Sequence, residues 1–318
     1  MTVQILLLIL GFGILVKGAD WLVDGASELA RKYKISDLAI GLTVVAFGTS
    51  APELIVNVFA AYQGHHDIVF GNIIGSNNFN LFIILGISGL IVPLAVQSST
   101  VWKEIPFSLG AAVLLFILTS GVFFAGNNVL SRADGMILLV MFALFLYYVY
   151  KQLGNDKAQD NLPHKNFTPL KIWSFILIGL AGLVLGGKLV VSSAIVMAEA
   201  LGVSQKIIGL TIVAAGTSLP ELATSVVAAI KKNNDIAVGN IIGSNIFNIF
   251  LILGVSSLVN PVVYSSAFDT DLLMLGLGTV FLFTAMFTGI KGKLDRWEAA
   301  VLLVMYVAYT AYLVLKEF

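Results

Sequence analysis

Two glutamates lie in the middle of long apolar stretches of this sequence. Glu53 is about halfway along an apolar run from Leu38 to Tyr62, and Glu221 occupies the matching place in a second run. A charged side chain at the centre of a bilayer is costly unless it binds a partner or an ion. Because hard cations prefer carboxylate oxygens as ligands, the two glutamates predict a cation site inside a membrane.

The motifs around these glutamates, GTSAPE (48–53) and GTSLPE (216–221), add hydroxyl oxygens and a helix breaker. Proline lacks an N–H group and clashes with the preceding helical turn, so Pro52 predicts a break that frees backbone carbonyl oxygens. Broken backbone within a membrane is tolerated only where protein or a wet cavity surrounds it. One alternative stays open, because Ser50 and Glu53 have the three-residue spacing of a capping box that would only restart the helix.

A second pair of motifs also interrupts the apolar pattern: GNIIGSNNFN ends at Asn80, and GNIIGSNIFN ends at Asn248. Ser76 lies four residues before Asn80, which places both on one helical face. An amide at this depth in both motifs predicts contact with the ion, whereas the glycines favour close helix packing. For Asn77 and Asn245, helix packing, capping of a half-helix and ion contact all remain open.

The second half of the chain repeats the first at a constant offset of 168 residues. Glu53 aligns with Glu221 and Pro93 aligns with Pro261, and about two-thirds of positions 40–86 are identical in the two copies. Each copy contains five apolar runs. An odd number of spans reverses the second copy across the membrane, so the pattern predicts an inverted-topology repeat whose two broken helices meet at the midplane.

The 318-residue chain is 58% hydrophobic and 11% charged, which is typical of a polytopic membrane protein. We predict an all-α fold of ten transmembrane helices in two inverted five-helix repeats, with broken helices at the midplane. The first repeat covers residues 1–151, a cytoplasmic linker covers 152–170, and the second repeat covers 171–318. The predicted spans are 3–27, 38–62, 68–91, 105–125, 133–151, 171–198, 206–230, 236–259, 271–289 and 296–316.

The distribution of charge predicts the orientation and excludes several functions. Lysine and arginine fall mainly in every second link between the predicted spans, which places those links in the cytoplasm and both termini outside the cell membrane.

The formal net charge of zero gives no attraction for nucleic acid, and the absence of cysteine excludes thiolate metal sites. Without a nucleophile–base pair, a phosphate-binding loop or a dinucleotide glycine pattern, we predict no enzyme activity and no cofactor. The expected partners are ions and the lipid bilayer, with no required protein partner.

The charge of the two glutamates limits the identity of the ion. Two carboxylates match one divalent cation or at least two monovalent cations. Calcium takes about six to eight oxygen ligands in a flexible geometry, which carboxylates, hydroxyls, amides and freed carbonyls can supply. Magnesium sheds its water reluctantly, and the absence of thiolate and imidazole from the motifs disfavours zinc and copper.

The four motifs resemble the two α-repeats of the cation/calcium exchanger superfamily, and in particular those of its sodium/calcium exchangers. The resemblance covers nearly the whole chain, because GTS-x-PE and GSN-x-FN each occur twice at one offset. It implies an antiporter that exports calcium in exchange for sodium by alternating access, with the glutamates bridging calcium and the hydroxyls and carbonyls favouring sodium. The ligands that the resemblance implies are Thr49, Ser50, Glu53, Ser76, Asn80, Thr217, Ser218, Glu221, Ser244 and Asn248, with the backbone carbonyls of Ala46 and Ala214.

Two departures from relatives refine this expectation. Potassium-dependent relatives carry aspartate at the position of Asn248, so the amide implies no potassium requirement. Calcium/proton relatives replace the Thr-Ser of the first motif by Asn-Ala, and both copies here keep Thr-Ser, which favours sodium as the driving ion. The alternative is an antiporter of calcium, or another divalent cation, against protons. A cation channel is disfavoured because a two-glutamate cage binds too tightly for conduction. The linker 152–170 leaves no room for the regulatory domain of animal exchangers, which implies a prokaryotic source.

Overall fold

The computed structural model describes residues 2–120, 128–152, 167–201 and 214–317 of the chain. Most of the predicted linker 152–170 lies outside these residues, as does the start of the predicted span 206–230. The described residues are almost entirely helical, as predicted. The helices are α1 (Thr2–Tyr33), α2 (Asp37–Ile40), α3 (Ala46–Thr49), α4 (Ala51–Gln63), α5 (His66–Asn78), α6 (Leu85–Ile91), α7 (Ile105–Thr119), α8 (Arg132–Gln152), α9 (Pro169–Ala200), α10 (Ala214–Thr217), α11 (Leu219–Ile230), α12 (Asn234–Phe247), α13 (Gly254–Val259), α14 (Asp269–Ala285) and α15 (Arg296–Glu317).

The long apolar segments fall where spans were predicted. Within the described residues, seven helical segments are long and apolar enough to cross a bilayer, and the pair Asp37–Thr49 and Ala51–Gln63 makes an eighth if counted as one broken span. The predicted spans 68–91 and 236–259 correspond to His66–Ile91 and Asn234–Val259. Helix α11 is a shorter apolar helix inside the seventh predicted span. The total of ten spans stays a prediction.

Short π-helical turns interrupt several of these segments, at Gly41–Val45, Phe79–Ile84, Thr100–Glu104 and Asn248–Leu253. A π turn inserts one residue into the hydrogen-bond ladder and is frequently found at functional sites. The second turn contains Asn80 and the fourth begins at Asn248, so both predicted amide ligands lie where the helical ladder is irregular. The sequence pattern did not predict these turns.

The described residues also contain four two-residue strands that were not predicted: β1 (Leu94–Ala95), β2 (Val129–Leu130), β3 (Val262–Val263) and β4 (Lys293–Leu294). Strand β1 pairs antiparallel with β4, and β2 pairs antiparallel with β3. Each pair joins a segment of the first sequence copy to a segment of the second copy. Two residues per strand are too few to produce a recognisable alternation in sequence.

The chain forms two compact units, and each unit takes segments from both sequence copies. The first unit comprises Met1–Pro52 and Tyr148–Asn240, and the second comprises Glu53–Tyr147 and Ile241–Phe318.

In the first unit, α1 and α9 pack along their length through glycines and run antiparallel. Gly11 lies beside Gly186, and Gly18 lies beside Gly179. A Cβ added to Gly18 would lie 2.8 Å from the carbonyl oxygen of Gly179. The two backbones therefore approach so closely that only glycine fits at this position without a shift of the backbone. The offset of 168 maps Gly11 onto Gly179 and Gly18 onto Gly186, so the two contacts are reciprocal between the copies.

In the second unit, α6 packs against α15, where a Cβ on Gly86 would meet Leu303 at 2.6 Å and one on Gly89 would meet Ala299 at 2.8 Å. Aromatic rings fill the space between other helices, for example Phe107 stacked on Phe145 with centroids 5.4 Å apart.

Candidate cation site

Both GTS-x-PE motifs break their helix at the serine. Ser50 (φ −84°, ψ 4°) separates α3 from α4, and Ser218 (φ −89°, ψ 6°) separates α10 from α11. The two equivalent serines therefore adopt the same backbone conformation, in the sparsely populated bridge region of φ/ψ space. The helical segments on either side of Ser50 are bent by 49°. The fracture that the prolines predict is present in both copies.

The two glutamates lie in the first turn of the helices that restart after these breaks. Glu53 is in the first turn of α4 and Glu221 is in the first turn of α11. Each residue has only 1% of its surface exposed. The N-terminus of a helix carries partial positive charge, so this placement stabilises a carboxylate by about 0.3–1 kcal/mol. That contribution is small beside the cost of a buried charge, so each carboxylate needs further partners.

In the first unit, a hydroxyl of one motif bonds the carboxylate of the other. The Ser50 Oγ donates to the Glu221 Oε1 at 2.9 Å, between buried residues 171 positions apart in the chain. The backbone N–H of Ser50 donates to the Ala46 carbonyl at 3.0 Å, and Ser218 makes no side-chain capping bond. These serines therefore do not cap the restarted helices, contrary to the capping-box alternative.

The Thr49 hydroxyl is fixed by an asparagine that the sequence analysis did not single out. Thr49 Oγ1 donates to Asn240 Oδ1 at 3.1 Å, and Asn240 Nδ2 donates to Ser225 Oγ at 2.9 Å. Asn72, the counterpart of Asn240, donates to Asn57 Oδ1 at 2.6 Å in the second unit. The signal was in the sequence, because GNIIGSN repeats this asparagine at the same offset in both copies.

The remaining predicted ligands of the first unit differ in the hydrogen bonds that they make. The Ala46 carbonyl accepts from the Ser50 N–H at 3.0 Å, and it lies 3.3 Å from the Thr49 hydroxyl, whose single proton can go to this carbonyl or to Asn240. Ser218 Oγ is buried and has no hydrogen-bond partner among the described residues. Thr217 is the last residue of α10, and the backbone of Ala214 begins that helix.

In the second unit, four buried asparagines form a closed network between α5, α12 and the π turns that follow them. Asn80 Nδ2 donates to Asn245 Oδ1 at 3.0 Å, and Asn248 Nδ2 donates to Asn77 Oδ1 at 2.8 Å. Asn77 Nδ2 donates to the backbone carbonyl of Asn245 at 3.2 Å, and Asn245 Nδ2 donates to the backbone carbonyl of Asn77 at 3.4 Å. The offset of 168 maps each of these bonds onto its partner bond.

This network leaves the oxygens of the two predicted amide ligands available. Asn80 Oδ1 and Asn248 Oδ1 are buried and have no hydrogen-bond partner in the described part of the chain, and the same holds for Ser76 Oγ. Ser244, the counterpart of Ser76, is fully buried. A buried acceptor that lacks a partner costs about 1–3 kcal/mol, which a bound cation would recover.

The side chains offer oxygen ligands only. Each unit contains one of the two motif glutamates and several neutral hydroxyl or amide oxygens, and the described residues contain no cluster of three or more His, Cys, Asp or Glu that could hold a metal ion. Sparse charge combined with several neutral oxygens suits a hard cation that binds and is released. Buried side-chain oxygens on broken helices of a polytopic α-helical membrane protein are typical of ion transporters.

Comparison with known proteins identifies the family. The family described as sodium/calcium exchanger protein matches residues 3–151 and 171–315, and the chain belongs to this family. It is 33% identical to the sodium/calcium exchanger MaX1 of Methanosarcina acetivorans, with 97% of each chain covered. It is 38% identical to the inner membrane protein YrbG of Escherichia coli, with 84% of this chain and 85% of that protein covered.

The fold agrees with solved structures of the sodium-calcium exchanger NCX_Mj. The structure soaked with zero Na⁺ and Ca²⁺ has a TM-score of 0.83 and 32% sequence identity, and the match covers 98% of each chain. The structure soaked with 10 mM Na⁺ and zero Ca²⁺ has a TM-score of 0.84 and 31% identity. The family and these structural neighbours are transporters, not enzymes, which confirms the prediction that the chain has no enzymatic activity.

Proposed function

We propose that this protein is a sodium/calcium antiporter that exports calcium across the cell membrane, driven by sodium entry through alternating access. The family and the names of its relatives support exchange of these two ions. The oxygen-only ligands support a hard cation, and two glutamates match the charge of calcium. The alternative of calcium exchange against protons is disfavoured because both copies keep the Thr-Ser pair of the first motif.

The observation that carries this proposal is the buried bond between Ser50 and Glu221. It brings a hydroxyl of the first GTS-x-PE motif to the carboxylate of the second, which is an expensive arrangement unless the carboxylate binds a cation. We assign ion binding to the residues that the resemblance implies: Ala46, Thr49, Ser50, Glu53, Ser76, Asn80, Ala214, Thr217, Ser218, Glu221, Ser244 and Asn248. In this assignment the glutamates bind calcium, and the hydroxyls and backbone carbonyls contribute mainly to sodium binding.

We further propose ten spans in two inverted repeats, 1–151 and 171–318, with a cytoplasmic linker and both termini outside. The antiparallel packing of α1 on α9 supports this topology, because these are the first helices of the two copies. Reciprocal contacts, such as Gly11 with Gly186 and Gly18 with Gly179, are what an internal two-fold relation between copies requires. Lysine and arginine are concentrated in every second link between the predicted spans, which supports a cytoplasmic position for those links and an outside position for both termini.

Calcium uptake by proteoliposomes tests the transport reaction. Vesicles loaded with sodium and diluted into sodium-free buffer should accumulate labelled calcium, at an initial rate that follows the sodium gradient. Vesicles loaded with potassium are the matched control and should show only the background rate. If more sodium charge than calcium charge moves, an imposed potential should also change the rate, because each charge gains about 2.3 kcal/mol per 100 mV.

The same assay separates the rival functions. Uptake driven by a proton gradient and abolished by a protonophore, without any response to sodium, would identify calcium/proton exchange instead. Uptake that needs no counter-ion gradient at all would identify a channel. Either result would contradict the proposed function.

A further inference from the structure

The four-asparagine network in the second unit separates two kinds of amide. Asn80 and Asn248 use only their Nδ2 groups, and their oxygens have no hydrogen-bond partner among the described residues. Asn77 and Asn245 use both ends, since each oxygen accepts from Asn248 or Asn80 and each Nδ2 donates to a backbone carbonyl of the other copy. All four side chains are buried.

We propose that Asn77 and Asn245, here called the asparagine clamp, are positioning residues that orient the amide oxygens of Asn80 and Asn248 towards the transported ion. This inference rests on the proposed function, because it assumes that those two oxygens bind the ion. The clamp acts through its neighbours and does not itself bind the ion. It resolves the three roles that the sequence left open for these two asparagines.

The ability of an amide to bind a cation depends on which of its two ends already has a hydrogen-bond partner. An amide turned over would place its NH₂ group where an oxygen is needed, and a donor cannot bind a cation. By accepting from Asn80 Nδ2, Asn245 holds the NH₂ group away and leaves the oxygen as the available end. Donation by the NH₂ group also polarises the amide, which strengthens its oxygen as a ligand.

The backbone carbonyls that hold the clamp lie close to the π turns. Asn77 and Asn245 each donate to a carbonyl within three residues of a π turn, at Phe79–Ile84 and Asn248–Leu253. A π turn disturbs the regular ladder, so a nearby backbone carbonyl can accept from a side chain instead. With both ends of both clamp residues bonded, neither amide can turn over without breaking two hydrogen bonds.

Helix packing alone does not account for this arrangement. Asn78 supplies the comparison, since it is equally buried and donates to the Asp271 carbonyl at 2.9 Å, and its oxygen has no hydrogen-bond partner in the described residues. Its counterpart in the second copy is Ile246, so nothing in the repeat requires an amide there. The clamp differs because both copies keep it and because its bonds are reciprocal.

Thermal unfolding of purified protein in detergent, titrated with calcium, tests the proposal. Asn245→Leu and Asn77→Leu should each raise the calcium dissociation constant by about 10–100-fold, as loss of an outer partner of a metal ligand typically does. Asn78→Leu is the matched control, being a buried neighbour of the same residue type outside the network. It should lower the melting temperature without calcium but leave the dissociation constant within about twofold of wild type. Asn77→Leu tests the mirrored half independently if Asn245→Leu does not fold.

A double-mutant cycle adds a readout that a merely structural role would not move. If Asn245 acts through Asn80, then Asn245→Leu should weaken calcium binding much less in an Asn80→Ala background than in wild type. A purely structural effect would instead lower the melting temperature equally in both backgrounds and leave calcium affinity unchanged.

The possible failures are distinguishable. Wild-type protein that shows no stabilisation by calcium would contradict the proposed function, and the clamp with it, before any variant is compared. Wild-type protein that binds calcium, together with clamp variants that bind it as tightly as Asn78→Leu does, would overturn the clamp alone. An additive double-mutant cycle would also overturn it, because the two residues would then act independently.

Discussion

Replacing Glu221 by glutamine should reduce sodium-driven calcium transport by at least about 100-fold while the protein stays folded. Glutamine has nearly the same volume and its oxygen can still accept from the Ser50 hydroxyl, which lies 2.9 Å away in the wild type. Only the negative charge is lost. Breaking a buried ion pair by removing one partner costs about 3–5 kcal/mol, which corresponds to a factor of about 100 to several thousand in calcium affinity. Initial rates of calcium uptake per folded protein measure the effect.

Glu53→Gln should have an effect of the same size, because the two residues occupy equivalent first-turn positions and are equally buried. The matched control is Glu298→Gln, another fully buried glutamate of the second unit, which accepts from the Thr288 hydroxyl and from the Asp295 N–H. This control should lower the melting temperature but keep sodium-driven uptake per folded protein. If Glu53→Gln or Glu221→Gln transported calcium normally, the assignment of that glutamate would be wrong.

The double substitution Gly179→Val/Gly186→Val should destabilise the first unit by about 2–6 kcal/mol, since overpacking costs about 1–3 kcal/mol at each site. A Cβ at Gly186 would lie 2.6 Å from the backbone nitrogen of Leu15 and 2.8 Å from the Gly11 carbonyl oxygen. These neighbours are backbone atoms, so the steric overlap can be relieved only if α1 and α9 move apart along their length. The melting temperature in detergent and the yield of folded protein measure the effect.

Adjacent glycines of α9 provide an internal control with the opposite sign. Gly186→Ala should lower the melting temperature, whereas Gly187→Ala should leave it unchanged or raise it slightly. Among the described residues, a Cβ at Gly187 would meet the Leu15 side chain at 3.8 Å and Pro220 at 4.0 Å, which is ordinary van der Waals contact. Alanine also favours a helix over glycine by about 0.5–1 kcal/mol. Equal destabilisation by both substitutions would show that α9 does not pack on α1 as described.

Local features of the fold were predictable because single residues determine them. Pro52 and Pro220 cannot continue a helical ladder, and each break occurs at a serine two residues before the proline. The contacts of the glycines between α1 and α9 are reciprocal at the same offset of 168 residues that relates the two copies in the sequence. Runs of about twenty apolar residues likewise indicated most of the membrane-spanning helices to within a few residues.

Contacts between distant residues were not predictable from spacing. Ser50 and Glu53 have the spacing of a local cap, but the Ser50 hydroxyl bonds Glu221, which only the folded chain brings near. An amide can serve in packing, capping or ligation, and its role depends on which end is satisfied, so Asn77 and Asn245 stayed ambiguous. The π turns and two-residue strands leave no periodic signal. The assignment of the twelve predicted residues as ion ligands stays a proposal, which binding experiments test.

Equilibrium binding of labelled calcium to purified wild-type protein, in competition with sodium, tests the central claim most directly. If carboxylates with neutral oxygens bind both ions in exchange, calcium binding should be saturable and sodium should displace it, while choline at equal ionic strength should not. Sodium should act with a steepness above that of a single ion, because two negative charges attract more than one monovalent cation. Absence of saturable calcium binding, or calcium binding that sodium and choline affect alike, would contradict the account.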